Sequence, residues 1–349
     1  KPYMNGNLML IAKLGFAAKI CYDFTKHTLP KFLPKLLKAG LGGMDLNQPM
    51  ENQKEKTPEA GGVIVLFVIT MVFCIFPETY RILPSLIAAG LLGFADNVLN
   101  LEWRWKLIVP AFTLMPLCQH YTQTFTFQLN LFGFNIMFPN ALTTILIILY
   151  SIFCQNAVNI YAGINGLEVG QSIVAQAAGL VYLFIKHGYE ECFDHISLKA
   201  SMFVSVFFIA SSLALLKFNK YPAQVFVGDV YTYLAGCCYV ISAVCGNYII
   251  VSAFLYFMQM INFLLSIPQL VGWVECPRHR LPKLEKDGKL YGKTENWNLI
   301  NQYLLRIIRG GLTEDKIWKQ LISIQSVGSI LILAILFVMK LKQPSEDDE

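Results

Sequence analysis

Ten apolar runs separated by polar connections constrain this chain more than any other feature. They cover 7–22, 61–76, 82–95, 106–118, 139–155, 172–186, 199–216, 226–245, 248–274 and 318–340. A bilayer span needs about 20 mainly apolar residues. Several runs are shorter, so their spans must extend into the polar residues beside them. Hydrophobic residues make up 55% of the 349, with a mean hydropathy of +0.49, a membrane composition rather than that of a soluble domain. The expected fold is an all-α integral membrane protein, a bundle of about ten transmembrane helices. One polytopic domain covers 1–349 and includes a polar loop at about 275–317. The first run is the weakest, since Lys13 and Lys19 must snorkel or face the bundle.

Charge gives the orientation. Ten spans place both termini on one side, and the connections then alternate between two faces. The odd-numbered connections, 23–60, 96–105, 156–171, 217–225 and 275–317, hold about eighteen Lys and Arg residues, and the others at most two. The positive-inside rule puts the odd connections in the cytosol. The sequence begins at Lys1 rather than Met, so the extreme N-terminus is expected to lie outside it, and no cleavable signal is evident. Nine scattered cysteines without CxxC pairs imply neither a disulfide framework nor a zinc site.

Polar chemistry concentrates on or beside the odd connections. Asn156–Ser172 reads NAVNIYAGINGLEVGQS between two apolar runs. Lipid cannot satisfy such groups, so they are buried in protein, line a wet site or form an interfacial loop. Asp229 and Asn159 offer hard oxygens for Mg²⁺; as structural alternatives, Asp229 caps a helix and Asn159 bonds between helices. Asp96, Asn100 and Lys106 suit phosphate binding or a surface ion pair. Arg278-His279-Arg280, held between Pro277 and Pro282, is a phosphate-binding loop or a basic patch. Trp297-Asn298-Leu299-Ile300 reads as an amphipathic surface segment. A Walker loop and the carboxylate pair of glycosidases are both absent.

These blocks resemble the eukaryotic UDP-N-acetylglucosamine–dolichyl-phosphate N-acetylglucosamine-phosphotransferase family, within the polyprenyl-phosphate N-acetylhexosamine-1-phosphate transferases. The likeness rests on Asn156–Ser172, on Gly93-Phe94-Ala95-Asp96-Asn97-Val98-Leu99-Asn100-Leu101 with Trp103 and Lys106, on Val225–Asp229, and on Cys276–Pro282. A weaker match joins Asp45-Leu46-Asn47 to Pro58-Glu59. The resemblance implies transfer of GlcNAc-1-phosphate from UDP-GlcNAc to dolichyl phosphate, with magnesium (Mg2+) held by Asn159 and Asp229. It implies that Lys106 and Asn100 contact the lipid phosphate, that Asp96 orients Lys106 or manages a proton, and that Trp103 lies beside the lipid. Leu46, Gly163, Asn165 and Phe226 match uridine-binding positions, Glu59 a nucleotide-site position, and Arg278, His279 and Arg280 pyrophosphate and amino-sugar contacts. The implied location is the endoplasmic reticulum membrane, with the site facing the cytosol. Expected partners are UDP-GlcNAc, dolichyl phosphate and membrane lipid, with a homodimer as an option and no nucleic acid.

One departure matters. The family usually has two consecutive aspartates where this chain has Asp96-Asn97. Asparagine keeps an acceptor but loses the charge and any role as a base. A catalytically silent relative and a transferase of another UDP-amino sugar therefore remain as alternatives. A transporter is a third, disfavoured by the clustering of motifs on one face.

Overall fold

The computed structural model describes residues 2–49, 55–124, 128–131, 134–277 and 279–341. Every apolar run lies largely in helix. The helices are α1 (Pro2–Lys38), α2 (Gly62–Phe73), α3 (Leu83–Leu99), α4 (Trp103–Thr113), α5 (Met115–Thr124), α6 (Asn140–Ile160) and α7 (Leu167–His187). They continue as α8 (Tyr189–Asp194), α9 (Ile196–Asn219), α10 (Gly228–Cys245), α11 (Ile249–Leu255), α12 (Phe257–Leu270), α13 (Leu299–Tyr303) and α14 (Glu314–Leu341).

Five of these, α6, α7, α9, α10 and α14, are long and apolar enough to cross a membrane, and α11 with α12 forms a sixth candidate bent by 71°. The chain is thus a mostly helical, multi-pass membrane protein. Ten spans are more than helix length and apolarity alone support. α2 has 12 residues, and at about 1.5 Å per residue it falls well short of a hydrocarbon core about 30 Å thick. α1 is long enough, but charged Lys19 and Asp23 pair at 2.5 Å in its middle. The all-helical expectation also needs a small correction. Three two-stranded antiparallel hairpins occur in the connections: β1 (Gly42–Gly43) with β2 (Thr57–Pro58), β3 (Gln128–Leu131) with β4 (Phe134–Met137), and β5 (Lys283–Leu284) with β6 (Leu290–Tyr291). Polar connections have no apolar face to bury as helix, and a hairpin satisfies their backbone locally.

α10 is the axis of the bundle. All its residues from Val230 to Cys245 are buried. A helix apolar all round belongs at the centre, and α2, α3, α6 and α9 pack around it. Two glycines set how close the neighbours come. A Cβ on Gly93 of α3 would lie 2.5 Å from the Asp229 carbonyl oxygen, and one on Gly236 of α10 would lie 2.4 Å from the Cys154 carbonyl oxygen of α6. Both obstacles are backbone, so any larger residue would push the helices apart. Gly93 and Asp96 share a face of α3 one turn apart. The close crossing therefore brings Asp96 and Asn97 to the start of α10, where Asp229 lies.

Candidate active site

Four helix ends meet at one end of the bundle: the last turns of α3 and α6 and the first turns of α4 and α10. α3 stops because Asn100 adopts a left-handed conformation (φ 49°), with its N–H bonded to the Asp96 carbonyl at 2.9 Å. Asparagine tolerates that conformation, and such a residue is a common helix end. The Asp96 carboxylate then accepts the Leu101 N–H at 3.0 Å, turning the chain into α4. One turn into α4, Lys106 reaches back to Asp96 at 2.9 Å. The Asp96 side chain is 1% exposed and that of Lys106 is 22% exposed, so the pair is largely desolvated. Asn100 itself is exposed at the corner, and Trp103 is the first residue of α4.

Across the crossing, Asp229 stands in the first turn of α10. Asn159, near the end of α6, donates to Asp229 Oδ1 at 2.6 Å. Asn97 donates to Asp229 Oδ2 at 3.5 Å while its own oxygen accepts the Val230 N–H at 3.2 Å. Asn97 thus uses both ends of its amide. Among the described residues Asp229 has no ion pair with Lys or Arg.

Beside this group opens a hollow of about 720 Å³. Asp229, Asn159, Glu59 and Phe226 line one part of it, Leu46, Gly163 and Asn165 another, and His279 its rim. Phe226 is fixed by its backbone: its N–H bonds the Pro58 carbonyl at 2.8 Å and its carbonyl accepts the Gly61 N–H at 3.0 Å. Its ring edge would meet a Cβ on Gly43 at 3.6 Å, so the glycine strand of the first hairpin lies against the aromatic wall. Glu59 is half-buried, and burial pushes its carboxyl above the ordinary carboxylate range. Eight expected site residues therefore converge on one hollow. Asp96 and Lys106 adjoin it through Asn97 and Asp229 but are not among its lining residues.

Of the Arg-His-Arg segment, Arg278 lies outside the described residues. Arg280 is partly buried, with Nη1 buried and without a hydrogen-bond partner among the described residues. Desolvation draws its guanidinium below its ordinary pKa. The next residue, Leu281, lines the hollow.

Sequence reasoning missed what holds this segment. A clamp runs through and around the 297–300 stretch, which reads in sequence only as an amphipathic surface segment. Asn298 and Asn301 both donate to the Arg280 carbonyl, at 2.7 and 3.1 Å, and Asn296 donates to that of Leu281 at 2.8 Å. All three asparagines are buried. Gln269 of α12 closes the loop, donating to the carbonyls of Glu275 and Glu295 at 2.8 Å each. The signal was available: three asparagines within six residues is a poor composition for an apolar helix face and a good one for satisfying loop carbonyls.

Comparison with known proteins gives the family. The model of Glycosyl transferase family 4 matches residues 80–247, from the approach to α3 to the end of α10. The chain is similar to the UDP-N-acetylglucosamine–dolichyl-phosphate N-acetylglucosaminephosphotransferase of Dictyostelium discoideum, 33% identical over 92% of this chain and 87% of the relative. The enzyme of that name from Saccharomyces cerevisiae is 32% identical over 83% of this chain and 75% of its own length. A similar Leishmania amazonensis protein is 26% identical over 92% and 91%.

The chain belongs to this phosphotransferase family. The Glycosyl transferase family 4 match contains Asp96, Lys106, Asn159 and Asp229, whereas the first hairpin, Leu46, Glu59 and the Arg-His-Arg segment fall outside it. Of these, Gly42, Gly43, Leu46, Glu59 and His279 line the same hollow.

Proposed function

We propose that this chain transfers GlcNAc-1-phosphate from UDP-GlcNAc to dolichyl phosphate, in the endoplasmic reticulum membrane with the site facing the cytosol. The observation that carries the reading is the convergence of the Asn159–Asp229 pair, Glu59, Phe226, Leu46, Gly163, Asn165 and His279 on one hollow, with the Lys106–Asp96 pair adjoining it through Asn97, in a chain of this family. In the reaction an oxygen of dolichyl phosphate attacks the phosphorus that bears the sugar. A new P–O bond forms, the bond between the two donor phosphates breaks, and UMP leaves with the electron pair. Lys106, fixed by Asp96, holds the attacking phosphate as a compact positive charge. Arg280, whose buried Nη1 has no hydrogen-bond partner among the described residues, suits the donor pyrophosphate, because an unsatisfied charged donor gains from an anion. Phe226 offers an aromatic face for the base.

The donor set fits a magnesium ion. Asp229 and Asn159 are adjacent oxygen ligands, Asp229 has no competing Lys or Arg among the described residues, and Mg²⁺ needs only one or two protein groups when phosphates complete its shell. Bound there, the ion would neutralise phosphate charge. Asn159 would offer its amide oxygen by rotating its amide, which carries an acceptor as well as the donor that faces Asp229.

The silent-relative reading draws on Asn97. Against it, the Asn97 amide already serves as acceptor for α10 and as donor to Asp229. An aspartate there would set two carboxylates against each other, bringing repulsion as well as charge. The test is transfer by the purified chain with UDP-GlcNAc, dolichyl phosphate and Mg²⁺, scored for UMP and the lipid product. Wild type should be active, and Asn97→Asp should differ from it by less than about fivefold, within roughly 1 kcal/mol of barrier. An inactive wild type rescued by Asn97→Asp would establish the silent relative. Preference for another UDP-amino sugar would change the donor assignment.

Orientation has its own test. Lys289 is exposed next to the last hairpin. With exposed Cys74 and Cys276 replaced, a Lys289→Cys thiol should react with an impermeant reagent in sealed microsomes. Reaction only after permeabilisation would reverse the topology.

A further inference from the structure

The hollow has one wall whose integrity depends on a residue that does not line it. Two turns form that wall: Asp45–Gln48, after the first hairpin strand, and Gly163–Gly166, between α6 and α7. Asp45, Asn47, Gly163 and Asn165 all line the hollow. Behind them Glu314, in the first turn of α14, is 3% exposed. Its Oε1 accepts the Asn165 N–H at 2.6 Å and the Asn47 side-chain amide at 2.9 Å. The Asn47 amide also donates to the Gly163 carbonyl at 2.9 Å, and the Asn165 amide to Asp45 at 2.8 Å. Asp45 in turn accepts the Asn47 N–H at 3.1 Å.

We propose that Glu314 is a positioning residue: by tying the two turns together it sets the affinity of the site for a uridine nucleotide. The inference rests on the transferase reading above, which places the nucleotide against Leu46, Gly163 and Asn165.

Three features favour this over simple structural glue. Both donors share the single oxygen Oε1, so losing that acceptor unties the two turns at once. They fix a backbone N–H and a side chain belonging to the lining itself, so any loss is felt at the ligand surface. Burying a carboxylate here is also poor stability design. Among the described residues Glu314 Oε2 has no donor, and Asp45 brings a second carboxylate to the same cluster. Local rules are commonly broken in this way where a site has to be shaped.

The experiment uses the full chain in detergent, with UDP binding measured by calorimetry and kinetics measured separately for each substrate. Glu314→Ala removes the acceptor and should weaken UDP binding and raise the donor KM by about tenfold, the loss expected when buried donors are left without their acceptor. kcat at saturating donor and the KM for dolichyl phosphate should stay within about threefold. Glu314→Asp withdraws the oxygen while keeping the carboxyl and leaving a smaller cavity. It should weaken UDP in the same direction, and it carries the test if the alanine variant does not fold. Glu314→Gln retains an acceptor oxygen and should recover most of the affinity.

Folded Ala and Asp variants that bind UDP like wild type would overturn the proposal. So would a loss confined to kcat, or one shared equally by donor and lipid. A wild-type chain that binds UDP but transfers nothing would sink the transferase reading and leave this one standing, whereas a wild type without UDP binding would sink both.

Discussion

Replacing Asp229 by alanine should lower transfer on the order of 10³-fold, about 4 kcal/mol of transition-state stabilisation, without unfolding the chain. Asp229 is the acid on which Asn159 and Asn97 converge, and it belongs to the first turn of the buried central helix. A developing phosphate charge beside it needs a counter-charge, and the acid is the natural holder of a divalent cation. The same surroundings explain why the fold should survive. No cation is stranded when the acid goes, because Asp229 has no Lys or Arg partner among the described residues, and the two amides lose only hydrogen bonds of about 1 kcal/mol each. The melting midpoint should fall by no more than about 4–8 °C, at roughly 2–4 °C per kcal/mol. The check is UMP release per folded protein over a Mg²⁺ titration. Wild-type turnover in Asp229→Ala, at any Mg²⁺ level, would remove the metal assignment.

Lys106→Met should behave differently, losing both stability and activity. Asp96 is 1% exposed and Lys106 is its ion-pair partner. Removing one partner of a buried pair leaves an uncompensated charge, a loss of about 3–5 kcal/mol. The melting midpoint should therefore fall clearly. Adding Asp96→Asn to Lys106→Met removes the stranded charge and should recover most of the midpoint. Turnover should stay at least about 100-fold down in both variants, roughly 2.7 kcal/mol, because the charge that would hold the attacking phosphate is absent from each. If the double variant regained turnover together with stability, Lys106 would be a structural ion pair and nothing more.

These two outcomes separate what was legible in the sequence from what was not. The apolar runs announced their helices because a run of about 15 or more apolar residues has few alternatives in a membrane protein. Their use as spans was less legible. The run at 248–274 breaks by 71° near Tyr256, where neither glycine nor proline marks the bend. The 106–118 run divides at Leu114, a break that Pro116 in the first turn of α5 does mark, whereas Pro110 is carried inside α4. The residues around Asp96, Asn159 and Asp229 were readable from motif spacing, but their convergence was not, since it depends on the close backbone approach permitted by Gly93 and Gly236. Glu314 gave no local signal. Thr313-Glu314-Asp315-Lys316 reads as the solvated first turn of a helix, where acids are favoured on dipole grounds alone. Its burial becomes apparent only once the 45–48 and 163–166 turns have folded against it.

The bond from Asn47 to Glu314 spans 267 positions of sequence. Chains emerge from the ribosome N-terminus first, at about 5–20 residues per second. The first turn of the nucleotide wall is therefore made many seconds before its partner. Throughout that interval the carboxylates, amides and Lys106 are already in the membrane beside a wall that nothing yet closes. The two turns are thus tied together only once α14 has been made, so the last element to reach this wall is also the one that fixes its shape.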